Sequence, residues 1–464
     1  MVSFRHLLCV AALWTALLSP HGLLTAAERP PNVIILLADD MGYADVGFQG
    51  CQDIPTPHID SIARNGVRFT QGYVSGPYCS PTRAGLMTGR YQTRFGHEFN
   101  LGEKEAGPGI KKQPLGLPLT ETTFADRMKK AGYATGLVGK WHLGELPEFH
   151  PQKRGFDEFF GFLGGALSYF PLKKTQIQSG TTPHDEQEYL TDAFGREAVS
   201  FIDRHKEHPF FLYLAFNAVH TPMEATDARL QKFASITDSR RRTYAAMLSA
   251  MDDAIGNVLE KVRTSGLEEN TLFFFFSDNG GPTMPGTTVN SSSNAPLRGS
   301  KRTTLEGGIR VPFAIQWKGK LPAGVTYDQP IIQLDLLPTA LAAAGVTAKP
   351  DWKLDGVNLL PYLTGQNSAQ PHQTLYWRFG PQFAIHHGDW KLVAYDPQVE
   401  SSKRLNRLRN DPVGPPKLYN LKQDIGETRD LTSQHPEKVA ALQKLWQDWN
   451  AQQAPPLWGA TPGI

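Results

Sequence analysis

Two pairs of oxygen-bearing residues stand out by type and position. Asp39-Asp40 follows the apolar run Asn32–Ala38, and Asp278-Asn279 follows the apolar run Thr271–Ser277. Adjacent acids at the end of a strand repel one another unless water or a cation neutralises them. A solvated turn accounts for Asp39-Asp40 alone. The same pattern ending a second buried run favours a bound ion. Carboxylates plus an amide oxygen, without a cysteine or histidine cluster, suit a hard cation such as Ca²⁺ or Mg²⁺ rather than zinc.

A second element is Cys79-Ser80-Pro81-Thr82-Arg83, continuing as Ala84-Gly85-Leu86-Met87-Thr88-Gly89-Arg90. Serine before proline predicts a helix capped by Ser80 with Pro81 as its first residue. Residue 79 would then sit just ahead of a helix N-terminus, where free amides and the dipole favour an anion. Arg83, one turn in, can reach the same anion.

These residues need a scaffold, and the rest of the chain describes one. Short apolar runs end abruptly in polar residues at Asp39-Asp40, Lys140-Trp141-His142, His220-Thr221-Pro222 and Asp278-Asn279, and 311–317 is a further run. Such runs suit strands buried on both faces of a parallel sheet. Tyr244, Met247, Met251, Ile255, Val258, Leu259 and Val262 recur at helical spacing between two of them. The pattern predicts an α/β sandwich with a mostly parallel central sheet. Ligands in such sheets lie beyond the carboxyl ends of the strands, so the polar run ends should converge on one rim. After about Gly356 the runs shorten, as in Leu375-Tyr-Trp-Arg378, Phe383-Ala-Ile-His386, 390–394 and 417–421. They predict a small antiparallel sheet covered by a terminal helix bearing Val439, Leu442, Leu445, Trp446 and Trp449. The expected division is 1–27 a leader, 28–360 a catalytic α/β domain and 361–464 a C-terminal α+β subdomain.

The string Cys79-x-Pro81-x-Arg83 with Ala84 to Arg90 resembles the signature of the type I, formylglycine-dependent sulfatases. The likeness extends through Asp39-Asp40-Met41-Gly42, Gly139-Lys140-Trp141-His142-Leu143-Gly144, His220-Thr221-Pro222, Asp278-Asn279-Gly280, Leu297-Arg298-Gly299-Ser300-Lys301 and Glu306-Gly307-Gly308-Ile309-Arg310-Val311-Pro312. The resemblance implies an alkaline-phosphatase-like fold and hydrolysis of sulfate esters. It implies that Cys79 is oxidised to formylglycine by a maturation enzyme, and that Asp39, Asp40, Asp278, Asn279 and residue 79 ligate a cation, Ca²⁺ ahead of Mg²⁺. It further implies that Arg83 stabilises the formylglycine hydrate, Lys140 and Lys301 hold sulfate oxygens, and His142 and His220 carry protons; the chemistry of the hydrate makes His220, with Lys301 nearby, the candidate acid and His142 the base. One hydroxyl of the hydrate would attack sulfur, and the second would allow release of sulfate.

A related phosphomonoester or phosphonate hydrolase, or a non-catalytic binder of sulfated glycans, are the alternative readings; the filled signature positions favour a sulfatase. For substrate, Gly96-His97-Glu98-Phe99-Asn100 carries polar groups suited to a sugar rim. It resembles strings in arylsulfatase-like and N-acetylgalactosamine-6-sulfatase-like enzymes acting on galactose- or N-acetylgalactosamine-type units. His97 and Glu98 are accordingly expected to bind a sulfated saccharide. Trp377-Arg378 and the 282–294 loop are expected to add contacts to it.

Bulk properties are consistent with this. At 464 residues the chain exceeds what one core usually holds. A net charge of +2 gives no electrostatic footprint for nucleic acid. Arg5 and His6, the apolar run Leu7 to Leu18 and the small residues before Ala27 read as a cleaved export signal rather than a membrane anchor. The mature protein is then secreted or periplasmic, with no stable membrane insertion. Of three cysteines, Cys9 leaves with the leader, and chemical use of Cys79 leaves Cys51 unpaired. Asn290-Ser291-Ser292 is a glycosylation sequon, relevant only in a eukaryotic secretory pathway.

Overall fold

The computed structural model describes residues 29–101, 115–170, 176–285, 287–395 and 413–459. The expected export signal lies outside them. Among the described residues no helix is long and apolar enough to cross a membrane.

Five strands run parallel side by side: Thr271–Ser277, Asn32–Ala38, Phe210–Ala215, Ala134–Lys140 and Glu158–Phe162. Four of these are apolar runs read from the sequence, Glu158–Phe162 being the addition, and the residues of each strand alternate between two cores. Ile34, Leu36, Leu212, Leu214, Phe273 and Phe275 face the layer of helices Leu190–His205 and Ser239–Thr264. Val33, Ile35, Leu37, Phe211, Tyr213, Phe274 and Phe276 face helices Phe124–Lys130, Leu336–Ala343 and Cys79–Thr88. Burial on both faces explains the unbroken apolar runs, each fully buried large side chain contributing ~1.5–3 kcal/mol. The signature helix packs through Ala84, Leu86 and Met87, which fixes it against the sheet beside the strand ends.

One run departs from the parallel expectation. Phe313–Trp317 is fully buried but pairs antiparallel with Thr271–Ser277. Its composition reports burial, which does not distinguish strand direction.

The C-terminal part forms the antiparallel sheet Thr374–Phe379, Gln382–His387, Trp390–Ala394 and Lys417–Asn420. Helix Pro436–Asn450 packs on it through Leu442, Trp446 and Trp449, with Trp446 4.4 Å from the Phe383 ring. Leu445, expected on the buried face, is 38% exposed. The chain then returns to the first sheet's side, where Leu457 N–H donates to Gly96 O at 2.8 Å.

Candidate active site

Parallel register places the carboxyl ends of four strands together. Ala38 lies beside Ser277, Leu37 beside Ala215, and Gly139 beside Ala215. Asp39-Asp40, Lys140 to His142, the 217–220 turn and Asp278-Asn279 therefore leave the sheet at one edge. Cross-strand bonds pin them: Asp39 N–H donates to Ala218 O at 2.9 Å and Asp278 N–H to Ala38 O at 3.0 Å. Asp40 and His142 adopt left-handed φ angles of 63° and 57°.

The signature helix starts at Cys79 itself, after Tyr78. Ser80 does not cap it as the sequence suggests. Its hydroxyl lies 2.6 Å from His97 Nε2 and donates to His142 O at 2.7 Å. Pro81 fits inside the first turn, where a missing N–H costs nothing.

Around Cys79 the charges interlock. Lys140 Nζ lies 2.5 Å from Asp39 Oδ2. Lys301 Nζ lies 2.7 Å from Asp40 Oδ1. Arg83 donates through Nε and Nη2 to Asp278 Oδ2 at 3.0 and 2.8 Å, and its Nη1 donates to Lys140 O. His220 Nε2 is 3.5 Å from Asp40 Oδ2, and Cys79 Sγ is 3.4 Å from Asp39 Oδ1. All of these side chains are buried. The sequence places Arg83 toward an anion at residue 79; the structure gives its forked contact to Asp278 instead.

Burial pushes Asp39 and Asp40 toward the protonated form, but Lys140 beside Asp39 and Lys301 beside Asp40, together with His220, outweigh it and hold both below the usual carboxylate range. Asp278 goes the other way, raised by burial and by Asp39. Burial raises the Cys79 thiol, aided by Asp278 and Asp39. Burial, with the nearby Lys140 and Arg83, drives His142 well below its ordinary value, so it stands neutral. Burial also lowers His220, against the pull of Asp40. Lys301 stays charged, because Asp40 overcomes its desolvation.

Asp39, Asp40, Cys79 and His220 each offer an atom within 4.8 Å of the others, a spacing that can hold a metal ion. Asn279 sits next to them. Its Nδ2 donates to Asp40 Oδ1 at 2.7 Å, and its Oδ1 is buried without a partner. An orphaned amide oxygen beside two ionised carboxylates fits an oxygen-liganded cation.

Residues 31–346 match the family model described as Sulfatase. The chain belongs to the sulfatase family. It is a sulfuric ester hydrolase, and residues 299–445 also match the model described as N-sulphoglucosamine sulphohydrolase, C-terminal. The sulfatase is 33% identical to N-acetylgalactosamine-6-sulfatase of Homo sapiens, over 91% of this chain and 85% of that one. It is also 33% identical to arylsulfatase A of Bos taurus, over 94% and 90%. Among solved structures it is similar to Ps i-CgsB in complex with k-i-k-neocarrahexaose, with a TM-score of 0.82, 35% identity, and coverage of 93% and 95%. The large, mostly parallel sheet with a separate small antiparallel one is the architecture these sulfatases share.

The expected sugar-binding residues of this sulfatase are buried. His97 is fully buried behind the signature helix, against Trp458 and Ser80. Glu98 is buried too: Arg378 Nε and Nη2 donate to its Oε2 at 2.9 and 2.8 Å, and Gly380 N–H donates to Oε1. That pair ties the C-terminal sheet to the catalytic body. Trp377 is fully buried, its Nε1 donating to Val74 O. The sequence shows polar and aromatic residues in these strings; it cannot show that Glu98 and Arg378, 280 residues apart, are each other's partners.

Part of the 282–294 loop is bonded into the site. Asn290 Nδ2 donates to Asp40 O and Val219 O at 3.0 and 2.8 Å, and Thr288 Oγ1 donates to Asp40 Oδ2 at 3.3 Å. Asn290 is fully buried, so its sequon nitrogen is already committed. Gly165 is a further residue the sequence did not reveal: a Cβ there would lie 2.6 Å from His142 Nε2.

Proposed function

We propose that this sulfatase is an exported, Ca²⁺-dependent carbohydrate sulfatase that uses formylglycine at position 79 and acts on a galactose- or N-acetylgalactosamine-type unit. The observation that carries the chemistry is the buried cluster of Asp39, Asp40, Asp278 and Asn279 against Lys140, Lys301 and Arg83, with Cys79 in its midst. Three carboxylates face three cations there, so the side chains nearly balance. A divalent cation held by Asp39, Asp40, Asp278, Asn279 and residue 79 adds positive charge, which fits a sulfate ester and the charge it develops on reaction. Ca²⁺ bound there would supply charge stabilisation at the reacting oxygens. A formylglycine supplies, through its hydrate, a nucleophile with a second hydroxyl for releasing sulfate.

The chain's own residues do the rest. Lys140 and Lys301 hold sulfate oxygens from positions fixed by Asp39 and Asp40. Arg83 keeps Asp278 aligned through its forked contact and opposes the upward push of burial on that carboxyl. Neutral His142 accepts the proton whose loss lets sulfate depart. His220 Nδ1 lies 2.6 Å from Thr221 O and must donate to it. Its Nε2 therefore faces the cluster and delivers a proton only as the imidazolium, a state that the bound sulfate anion favours.

The substrate class rests on the relatives, whose names include N-acetylgalactosamine-6-sulfatase and a neocarrahexaose complex. Export rests on the leader-like segment, and conversion of Cys79 requires a formylglycine-generating or equivalent enzyme. The test is sulfate release from a panel of sulfated galactose and N-acetylgalactosamine saccharides plus one aryl sulfate, with Cys79→Ala alongside. Release from a saccharide that the variant lacks supports the proposal. Release from the aryl sulfate alone removes the carbohydrate assignment.

A further inference from the structure

We propose that Ser80 and His97 are positioning residues for His142, an inference that rests on the reading of His142 as a proton acceptor. His142 holds a left-handed backbone, at φ 57°, which a non-glycine residue keeps only where its surroundings impose it. Three contacts do so. Its N–H donates to Leu163 O at 3.0 Å. Its carbonyl accepts the Ser80 hydroxyl at 2.7 Å. Its ring lies on Gly165, where no side chain fits. The ring's Nδ1 is buried and unpaired, so no hydrogen bond at that nitrogen orients it. Backbone placement must do that instead.

The Ser80 hydroxyl has one proton, and it goes to His142 O. The 2.6 Å contact with His97 Nε2 therefore has His97 as donor. That tautomer leaves His97 Nδ1 bare, and Nδ1 is the ring atom with no partner. His97 is itself braced: Trp458 meets it edge to face at 4.7 Å, and Trp458 Nε1 donates to Phe99 O at 3.0 Å. A line of contacts thus runs from the C-terminal segment through His97 and Ser80 to the backbone of His142. It gives the buried His97 a task other than sugar binding.

Displacing a proton acceptor by about an ångström lowers the rate on the order of 100-fold without touching ground-state sulfate contacts. The experiment compares full-length mature wild type, Ser80→Ala, His97→Leu, His97→Gln and His142→Ala on one aryl sulfate. Rates are normalised to the fraction of residue 79 converted, measured by mass spectrometry, because Ser80 adjoins that residue. The expected result is that Ser80→Ala and His97→Leu lower kcat by roughly 10- to 100-fold with KM little changed. His97→Gln, whose amide can donate to Ser80, should recover most of kcat. If His142→Ala is crippled while Ser80→Ala keeps wild-type kcat, the positioning role is wrong and the sulfatase mechanism stands. If His97→Leu and His97→Gln lose activity and thermal stability equally, His97 is only a packing residue and its part in the proposal fails. Should His97→Leu not fold, Ser80→Ala and His97→Gln still decide. Full activity in His142→Ala would instead remove the reading of His142 on which the inference stands.

Discussion

Asn279 donates from its side-chain nitrogen to Asp40 at 2.7 Å and keeps its own carbonyl oxygen buried with no partner. A buried acceptor left unpaired costs about 1–3 kcal/mol. An oxygen-seeking cation beside Asp39 and Asp40 removes that cost. Ca²⁺ should therefore stabilise the protein, by about 2.7 kcal/mol at a hundredfold excess over Kd. Thermal unfolding with Ca²⁺ and with chelator measures this. Asn279→Ala should weaken Ca²⁺ binding on the order of 10–100-fold, read by calorimetric titration.

Cys79→Ser should lose steady turnover, since a serine hydroxyl can attack sulfur but offers no second hydroxyl for expelling sulfate. Mass spectrometry of the peptide containing residue 79, with sulfate-release kinetics, checks both halves. Sustained turnover near the wild-type rate by a variant whose residue 79 is still serine by mass would rule out formylglycine chemistry.

The depressed basicity of His142 sets a pH dependence. Burial and the neighbouring cations keep it neutral to below its ordinary value of 6.5. A base acts when unprotonated, so its contribution persists as pH falls through 6.5 and disappears only at lower pH. The kcat profile on an aryl sulfate should show that acid limb below pH 6.5.

Glu98 and Arg378 form a buried ion pair that joins two parts of the chain. Removing one partner of a buried ion pair costs about 3–5 kcal/mol. Arg378→Met should lower stability by that order in urea unfolding. Below its unfolding temperature it should retain kcat on a small aryl sulfate, because neither residue touches the Asp39–Lys140 cluster.

Glu427 is buried against Lys391, whose Nζ lies 2.9 Å from Glu427 Oε1 and 2.8 Å from Glu306 Oε1. Burial pushes Glu427 up to about 7 from an ordinary 4.5, with Lys391 pulling down and Glu306 pushing up. The folded state then binds the extra proton between those values. Its contribution to stability is full below pH 4.5 and lost as pH rises toward 7. Glu427→Gln should flatten that part of the stability–pH curve, measured by denaturant unfolding at several pH values.

How much the chain announces beforehand depends on the range of the interaction. The runs Asn32–Ala38 and Thr271–Ser277 disclose buried strands because a strand covered on both faces has no place for polar residues. The acids that end them, and the string from Cys79 to Arg90, disclose the chemistry, since cation ligation and anion binding need particular side chains. From these the sandwich, the sulfatase family and the convergence of Asp39, Asp40, Lys140, His220 and Asp278 were all legible. What tertiary structure alone decided is which partner each polar group takes. Glu98 meets Arg378 across 280 positions, and Asn290 meets Asp40 across 250. Ser80 turns from a cap into a brace for His142. Residue type sets what a group can bond; only the folded chain sets what stands within hydrogen-bond distance of it.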